Sequence, residues 1–369
     1  MKNMDMANAN KNRHYGIDAL RIVSMFMIVL MHLLMNGGVI DENPRLDLNY
    51  YAASLLEAIA FPACNCFALI SGYMGAQSKP RYSRLALLWI CVVLYSFGIS
   101  AISFVIFPGV VSIKQLLYSL LPAVTEQYWY FSAYFALFLF MPLLNAGIQR
   151  LSCRQLEGTL GMGFLAFCCL SVALRLDGFH LRRGYSALWL IYLHVLGGYL
   201  RRYDVLRRVR TAVLALIWTG ATLASWLSVP IIHVVTLRFS GVAHDVALLF
   251  KYTSPPMVVA AVCVLALFER WQPSPPLRKV ISFAAPLSFS VYLIHAHPVL
   301  FDHWMHGRFA PLADKPLPAL LFELLLTAVA IFVLSCAIDW LRLRLFTALR
   351  LKERLEALID DRLLKSPEE

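Results

Sequence analysis

Arg21 and His32 stand eleven positions apart in one apolar run, Gly16 to Asn36. Eleven residues make about three helical turns, so the two side chains share a face roughly 16 Å apart along the axis. A histidine is the usual general base near neutral pH and also a nucleophile. An arginine stays charged and suits phosphate or carboxylate. Ionisable groups at membrane depth are costly, and they mark a pathway or a site. The structural alternative is that Arg21 pairs with Asp18 at i, i+3 while His32 is satisfied inside a helical bundle.

Three other groups carry potential chemistry. Ser71-Gly72-Tyr73 closes a second apolar run, and Lys79, Arg81 and Arg84 follow it on a short loop. Three cations there fit the phosphates of a nucleotide-like ligand; they also fit an ordinary basic loop. Gly72 permits a close helix approach. Tyr128, Trp129, Tyr130 and Tyr134 open a later run, as an interfacial aromatic belt or as a platform for sugar rings. Tyr292 and His295 lie at i, i+3 on neighbouring positions of a late helix. His295 and His297 do not share a helical face, and no metal site is expected. The eight cysteines lie in or near apolar runs and read as buried structural thiols. Glu57 and Glu323 interrupt apolar stretches, and each calls for a partner.

The elements that must hold these residues are membrane helices. The 369 residues are 60% hydrophobic and 15% charged, and mean hydropathy is +0.66. Soluble domains carry about 25% charged residues. The pattern predicts an all-α, polytopic membrane helical bundle of about ten transmembrane helices. The expected spans are 17–38, 51–75, 84–107, 128–148, 155–174, 185–200, 211–234, 254–269, 281–300 and 317–340. Pro255-Pro256 starts the eighth span, with 244–250 as a possible broken extension. A short amphipathic piece is expected within 108–127.

The net charge of +11 is topological rather than a nucleic-acid signature. Twenty-three of the 33 Lys and Arg residues fall on one set of loops and tails and nine on the other, with Arg21 inside a span. That asymmetry places both termini in the cytoplasm. A minority of the charge remains available for an anionic ligand. The organisation is a disordered N-terminus over 1–14, one transmembrane domain over 15–340, and a basic amphipathic cytoplasmic tail over 341–369 lying on anionic lipid.

Together these residues resemble the integral-membrane acyltransferase type three family, particularly its bacterial surface-polysaccharide O-acetyltransferases. The likeness rests on Arg21 with His32, Ser71-Gly72-Tyr73, Arg81-x-x-Arg84, Tyr252-Thr-Ser-Pro-Pro, and Tyr292-Leu-Ile-His295, in order along most of the chain. It implies an O-acyltransferase, with acetyl-CoA as a co-substrate and no permanently bound cofactor. The implied acceptor is a hydroxyl of a cell-surface polysaccharide or lipid-linked glycan. The implied location is the bacterial inner (plasma) membrane, multi-pass, with lipids as surroundings and no nucleic acid. His32 is then the catalytic residue with Arg21 beside it. Arg81, Arg84, Lys79 and Ser71 bind the donor, and Tyr292, His295, Trp129 and Tyr130 serve the acceptor or support the site. The alternative is a non-enzymatic transporter or flippase for a glycan or anionic small molecule.

Overall fold

The computed structural model describes residues 13–40, 47–78, 81–241 and 247–361. Lys79, most of the N-terminal segment, residues 244–246 of the expected broken extension and the last eight residues lie outside the described residues. Among the described residues the chain is helical, without strands. In chain order the helices are α1 (Tyr15–Leu34), α2 (Leu48–Ala60), α3 (Ala63–Gly75), α4 (Tyr82–Ile106), α5 (Ile113–Tyr118), α6 (Trp129–Arg150), α7 (Cys153–Gly163), α8 (Ala187–Tyr203), α9 (Thr211–Ser240), α10 (Pro255–Arg270), α11 (Pro275–Ala284), α12 (Ser288–His295), α13 (Leu317–Ala348) and α14 (Leu351–Leu355). Short turns of wider or tighter helix extend α7, precede α8 and follow α12.

Among the described residues, seven helical stretches are long and apolar enough to cross a membrane, with α2 and α3 counted together. The bent pair α11 and α12 would be an eighth. The remaining expected spans, α8 and α10, have 17 and 16 residues and are packed among the others. The protein is therefore a multi-pass membrane helical bundle. Its outer helices turn apolar side chains outward, such as Leu143, Leu216, Phe322 and Leu334. Several polar groups of its interior are paired. Asp339 is fully buried, ion-paired with Arg342 at 2.6 Å and bonded by the Tyr95 hydroxyl at 2.8 Å. Glu323 takes Lys315 as its partner at 2.6 Å, whereas Glu57 is buried on α2.

Prolines set where the helices begin and break. Pro255 and Pro275 occupy first helical positions, where a missing N–H costs nothing. Pro62 separates α2 from α3, and Pro286 separates α11 from α12 with a bend of 43°. The expected ninth span is shifted by this: it starts at Pro275 rather than 281 and stops at His295 rather than 300. The expected tenth span also differs, because α13 runs on to Ala348 without a break at 340. A left-handed Arg350 then turns the chain into α14, and the described part of the tail packs on α4. There the Asp360 carboxylate accepts from the Ser83 backbone N–H at 3.0 Å and from its hydroxyl at 2.5 Å, capping the start of α4 from a distance.

Two ends can be distinguished by contacts. At one end Arg13 and Arg278 both lie over the Tyr15 ring, Arg201 over Tyr73, and Arg202 bonds the Leu151 carbonyl at 2.7 Å. This is the end rich in basic residues. At the other end the backbone of Gly307 and Phe309 bonds the carbonyls of Asn36 and Gly37, and Asn49 bonds the carbonyls of Ala313 and Lys315. α1 runs from the first end to the second.

α3 and α8 cross backbone to backbone. A Cβ on Gly72 would fall 1.9 Å from the His194 carbonyl oxygen, and one on Gly197 would fall 2.1 Å from that of Leu69. Both glycines are needed for backbone-to-backbone contact. Gly197→Ala should therefore cost about 1–3 kcal/mol or more through overpacking, read as a lower unfolding temperature in detergent. Gly220→Ala, where a Cβ meets open space, should leave that temperature unchanged; equal effects would show that the crossing tolerates separation.

Candidate active site

Seven of the sequence-selected residues, His32, Trp129, Tyr130, Tyr292, Ser71, Arg81 and Arg84, line two cavities. The first, about 440 Å³, is lined by His32 together with Trp129, Tyr130, Tyr292, Tyr252 and Tyr185, with Met25, Ile28 and Phe67 among its apolar wall. Its volume is typical of a small-molecule site. The second, about 140 Å³, lies toward the basic end and is lined by Ser71, Arg81, Arg84, Tyr134 and Asn145. It has room for a narrow group or a few waters. The two are successive turns of the same helices. Phe67 and Ser71 are one turn apart on α3, and Tyr130 and Tyr134 are one turn apart on α6, so each step is about 6 Å.

His32 sits near the end of α1 between two rings. His295 is 5.1 Å away by centroid, and Phe301 meets it edge-on at 5.0 Å. The hydrogen bonds fix its tautomer. His295 Nδ1 lies 2.6 Å from the Val291 carbonyl oxygen, which can only accept, so this nitrogen carries the proton. A neutral His295 then has a lone pair on Nε2, which lies 2.9 Å from His32 Nδ1. His32 Nδ1 donates to it. The free lone pair of His32 is thereby on Nε2, on a ring that lines the large cavity. This is the arrangement of an oriented base: a ring held by a second group, with one nitrogen presented to a ligand.

The elements behind this pair are themselves pinned. α12 has only eight residues between Pro286 and Pro298, and the Tyr128 hydroxyl bonds the Leu293 carbonyl at 2.8 Å. His297 is a satisfied structural histidine. It accepts from the Val299 N–H at Nδ1 and donates from Nε2 to the Ser96 carbonyl at 3.1 Å, tying this turn to α4. One wall of the cavity is a cluster of Trp129, Tyr185 and Tyr252, with centroids 4.5 to 5.9 Å apart. Buried Asn65 holds it by donating to the Tyr252 carbonyl at 2.8 Å and accepting from the Trp189 indole at 3.0 Å.

Arg21 follows the structural alternative in its direct contact. Its guanidinium pairs with Asp18 at 2.6 Å, and Asp18 also holds Arg13 at 2.6 Å. Arg21 is on the wall of neither cavity. Arg81 and Arg84 do reach that smaller cavity, together with Ser71. Arg81 is half-exposed and 3.5 Å from Glu356 of the tail.

Two residues of this region have no role assigned from the sequence, where His194 reads only as part of an amphipathic span without clear chemistry. His194 is fully buried, with Nδ1 2.9 Å from the Ser71 hydroxyl and Nε2 3.0 Å from the Asn145 amide oxygen. Asn145 in turn donates to the carbonyls of Gly75 and Ser78. Together they fix the floor of the smaller cavity. The only signal in the sequence was an isolated histidine in an apolar helix, which does not reveal its partner 123 positions away. Tyr130 carries another unanticipated property: its buried hydroxyl, in the cavity that His32 lines, has no hydrogen-bond partner among the described residues.

A family model described as an acyltransferase domain matches residues 14–340. No curated protein matches the chain, and no solved structure matches it.

The tautomer assignment can be checked independently of any reaction. Nitrogen-15 spectra of histidine-labelled protein should show His32 neutral with its proton on Nδ1. His295→Phe should remove that preference. A proton on Nε2 of His32 in the unmodified protein would overturn the assignment.

Proposed function

The chain belongs to the acyltransferase family whose model covers its residues 14–340, and from that premise we propose that it moves an acetyl group from acetyl-CoA to a hydroxyl of a cell-surface or lipid-linked glycan in the bacterial inner membrane. Family membership favours a membrane enzyme over a transporter. The observation that carries the reaction is the Val291–His295–His32 relay, which presents a basic nitrogen to a cavity walled by aromatic rings.

In this reading ten helical passages place the basic end in the cytoplasm, as the charge asymmetry requires. The CoA phosphates meet Arg81 and Arg84, with Lys79 on the same loop. The smaller cavity admits only the narrow arm of the donor, so the nucleotide stays outside it. Arg21 adds positive charge along this approach. Charge at the entrance steers and holds an anionic ligand. From Ser71 and Tyr134 the arm needs one further helical turn to reach Phe67 and Tyr130, where the thioester enters the His32 cavity. Met25, Ile28 and Phe67 exclude water there and protect the thioester from hydrolysis.

The acceptor enters from the opposite end, its ring stacked on Trp129 and its neighbours. His32 Nε2 takes the hydroxyl proton as the oxygen attacks the thioester carbonyl. The Nδ1 proton of His32 remains bonded to His295, which stabilises the charged ring that forms. The unpartnered Tyr130 hydroxyl bonds the carbonyl oxygen as negative charge develops on it. The C–S bond then breaks, and the CoA sulfur takes the proton from His32. His295 is a positioning residue in this scheme, and Tyr292 packs between it and Tyr128.

Purified protein given isotope-labelled acetyl-CoA and candidate glycans should pass the label to a sugar. His32→Ala should abolish transfer, by at least about 10²-fold as expected for a lost general base, while the protein stays folded and inserted. Transfer at the unmodified rate would defeat the assignment, and label retained on His32 would make it an acyl carrier instead. Arg81→Ala/Arg84→Ala should weaken CoA binding at low salt. The difference from the unmodified protein should narrow as salt rises, because screening removes the same attraction. Equal CoA affinity at low salt would return both arginines to a topological role alone.

A further inference from the structure

The end of the molecule with fewer basic residues collects four of them in one place. Arg175, Arg182, Arg183 and Lys251 all line a cavity of about 490 Å³ formed by the end of α7, the loop 175–185 and the segment before α10. These are four of only nine cations expected on that side. Asymmetry of charge cannot explain such convergence, because it acts to remove Lys and Arg from this side.

The loop is built to hold the charges together. Arg175, Arg182 and Arg183 all adopt left-handed backbone conformations, with φ of 56°, 51° and 58°. Non-glycine residues rarely do so. The Asp177 carboxylate fixes the turn by accepting from the backbone N–H groups of Leu181 and Arg182 at 2.7 and 2.8 Å. Asp177 is thereby committed to the loop. Arg182 pairs with Glu126 at 3.0 Å. Arg175 and Arg183 are exposed and form no ion pair among the described residues. Val172, Leu176 and Leu181 give the cavity an apolar side, against which a bound charge is less screened than in water.

This cavity shares its wall with the His32 cavity at three points. Arg183 lines the one while Tyr185, two positions on, lines the other. Lys251 and Thr253 line the one, and Tyr252 between them lines the other. Arg182 faces the basic cavity and holds Glu126, which faces His32's. A group bound among the arginines is therefore next to the aromatic wall and on the far side of the molecule from Arg81 and Arg84.

We propose that this cavity is the anion subsite of the acceptor: it binds a phosphoryl or carboxylate group carried by the glycan while a neighbouring hydroxyl reaches His32. The inference rests on the acyl-transfer reading for the role of the ligand, and it narrows the substrate to anionic glycans. Binding itself needs no reaction. Planar guanidinium groups suit both anions through paired hydrogen bonds.

The test uses full-length His32→Ala protein in nanodiscs of zwitterionic lipid, so that binding is read without turnover. The probes are a short glucuronic-acid-containing oligosaccharide, its neutral counterpart of equal length, and the same neutral oligosaccharide bearing a phosphate. Both charged probes should bind roughly tenfold or more tightly than the neutral one, and the advantage should fall as salt rises. Arg175→Asn/Arg183→Asn should remove that advantage; asparagine tolerates the left-handed backbone there, so the loop is preserved. Arg81→Ala/Arg84→Ala and saturating CoA should leave it intact. Equal binding of charged and neutral probes, or an advantage that survives Arg175→Asn/Arg183→Asn, would overturn the proposal. So would its loss in Arg81→Ala/Arg84→Ala or its abolition by phosphatidylglycerol in the discs, which would assign the anion to the donor cavity or to lipid headgroups. Failure of acyl transfer with anion binding intact would defeat the reaction and not the subsite.

Discussion

The Val291 carbonyl oxygen can accept a hydrogen bond and cannot donate one, and the orientation of the site follows from that asymmetry. It sets the proton on His295 Nδ1, the lone pair on His295 Nε2, the proton on His32 Nδ1 and the lone pair on His32 Nε2. In an apolar bundle each of these groups would be costly without its partner. Reactivity and structural satisfaction are therefore the same arrangement here. His32 is both the satisfied bundle histidine of the structural alternative and a base aimed at a cavity. Those readings exclude each other only when the helix is considered alone.

The rest of the bundle serves to keep that short chain of bonds in register. Pro286 and Pro298 confine α12 to eight residues, Tyr128 holds its Leu293 carbonyl, and His297 ties the following turn to α4. On the other side, Gly72 and Gly197 let α3 and α8 meet backbone to backbone. That approach brings Ser71 against His194 and carries Asn145 into the same network. Small residues at the crossing and paired polar groups in the interior add to the buried apolar core in fixing the helices, since lipid removes the hydrophobic drive between them.

Much of this was legible because membrane helices write long, simple signals. Apolar length located α1, α4, α6 and α13, and Arg21 and His32 lie on one helix as their spacing predicts. Proline identified the start of α10. What sequence alone missed depends on distant pairs. Asn145 and His194 look unremarkable on their own helices, and the bond between His32 and His295 joins positions 263 residues apart. Proline also misled. Pro286 marks a bend inside the ninth passage, which begins an extra turn and a half earlier, because the polar face of α11 reads as loop. The pairing of Arg21 with Asp18 was foreseeable at i, i+3, whereas its distance from both cavity walls was not.

Charge has two jobs in such a chain, and the structure separates them by convergence. A basic residue that sets topology needs only to be on the correct side; its neighbours are indifferent. Arg201 over Tyr73 and Arg278 over Tyr15 are of this kind, spread along one end and packed on rings. Arg81 and Arg84 share a cavity with Ser71, and Arg175, Arg182 and Arg183 share another. Gathering like charges opposes their mutual repulsion, so it requires a counter-charge or a ligand. Glu356 of the tail lies near Arg81, and Glu126 pairs Arg182. Asp360, bonded to Ser83, is a second carboxylate of the Arg81 and Arg84 group, whereas Arg175 and Arg183 form no ion pair among the described residues; the two groups stand at either end of the aromatic cavity. An acyl donor rich in phosphate and an anionic acceptor would complete both, and their reacting ends would meet at His32.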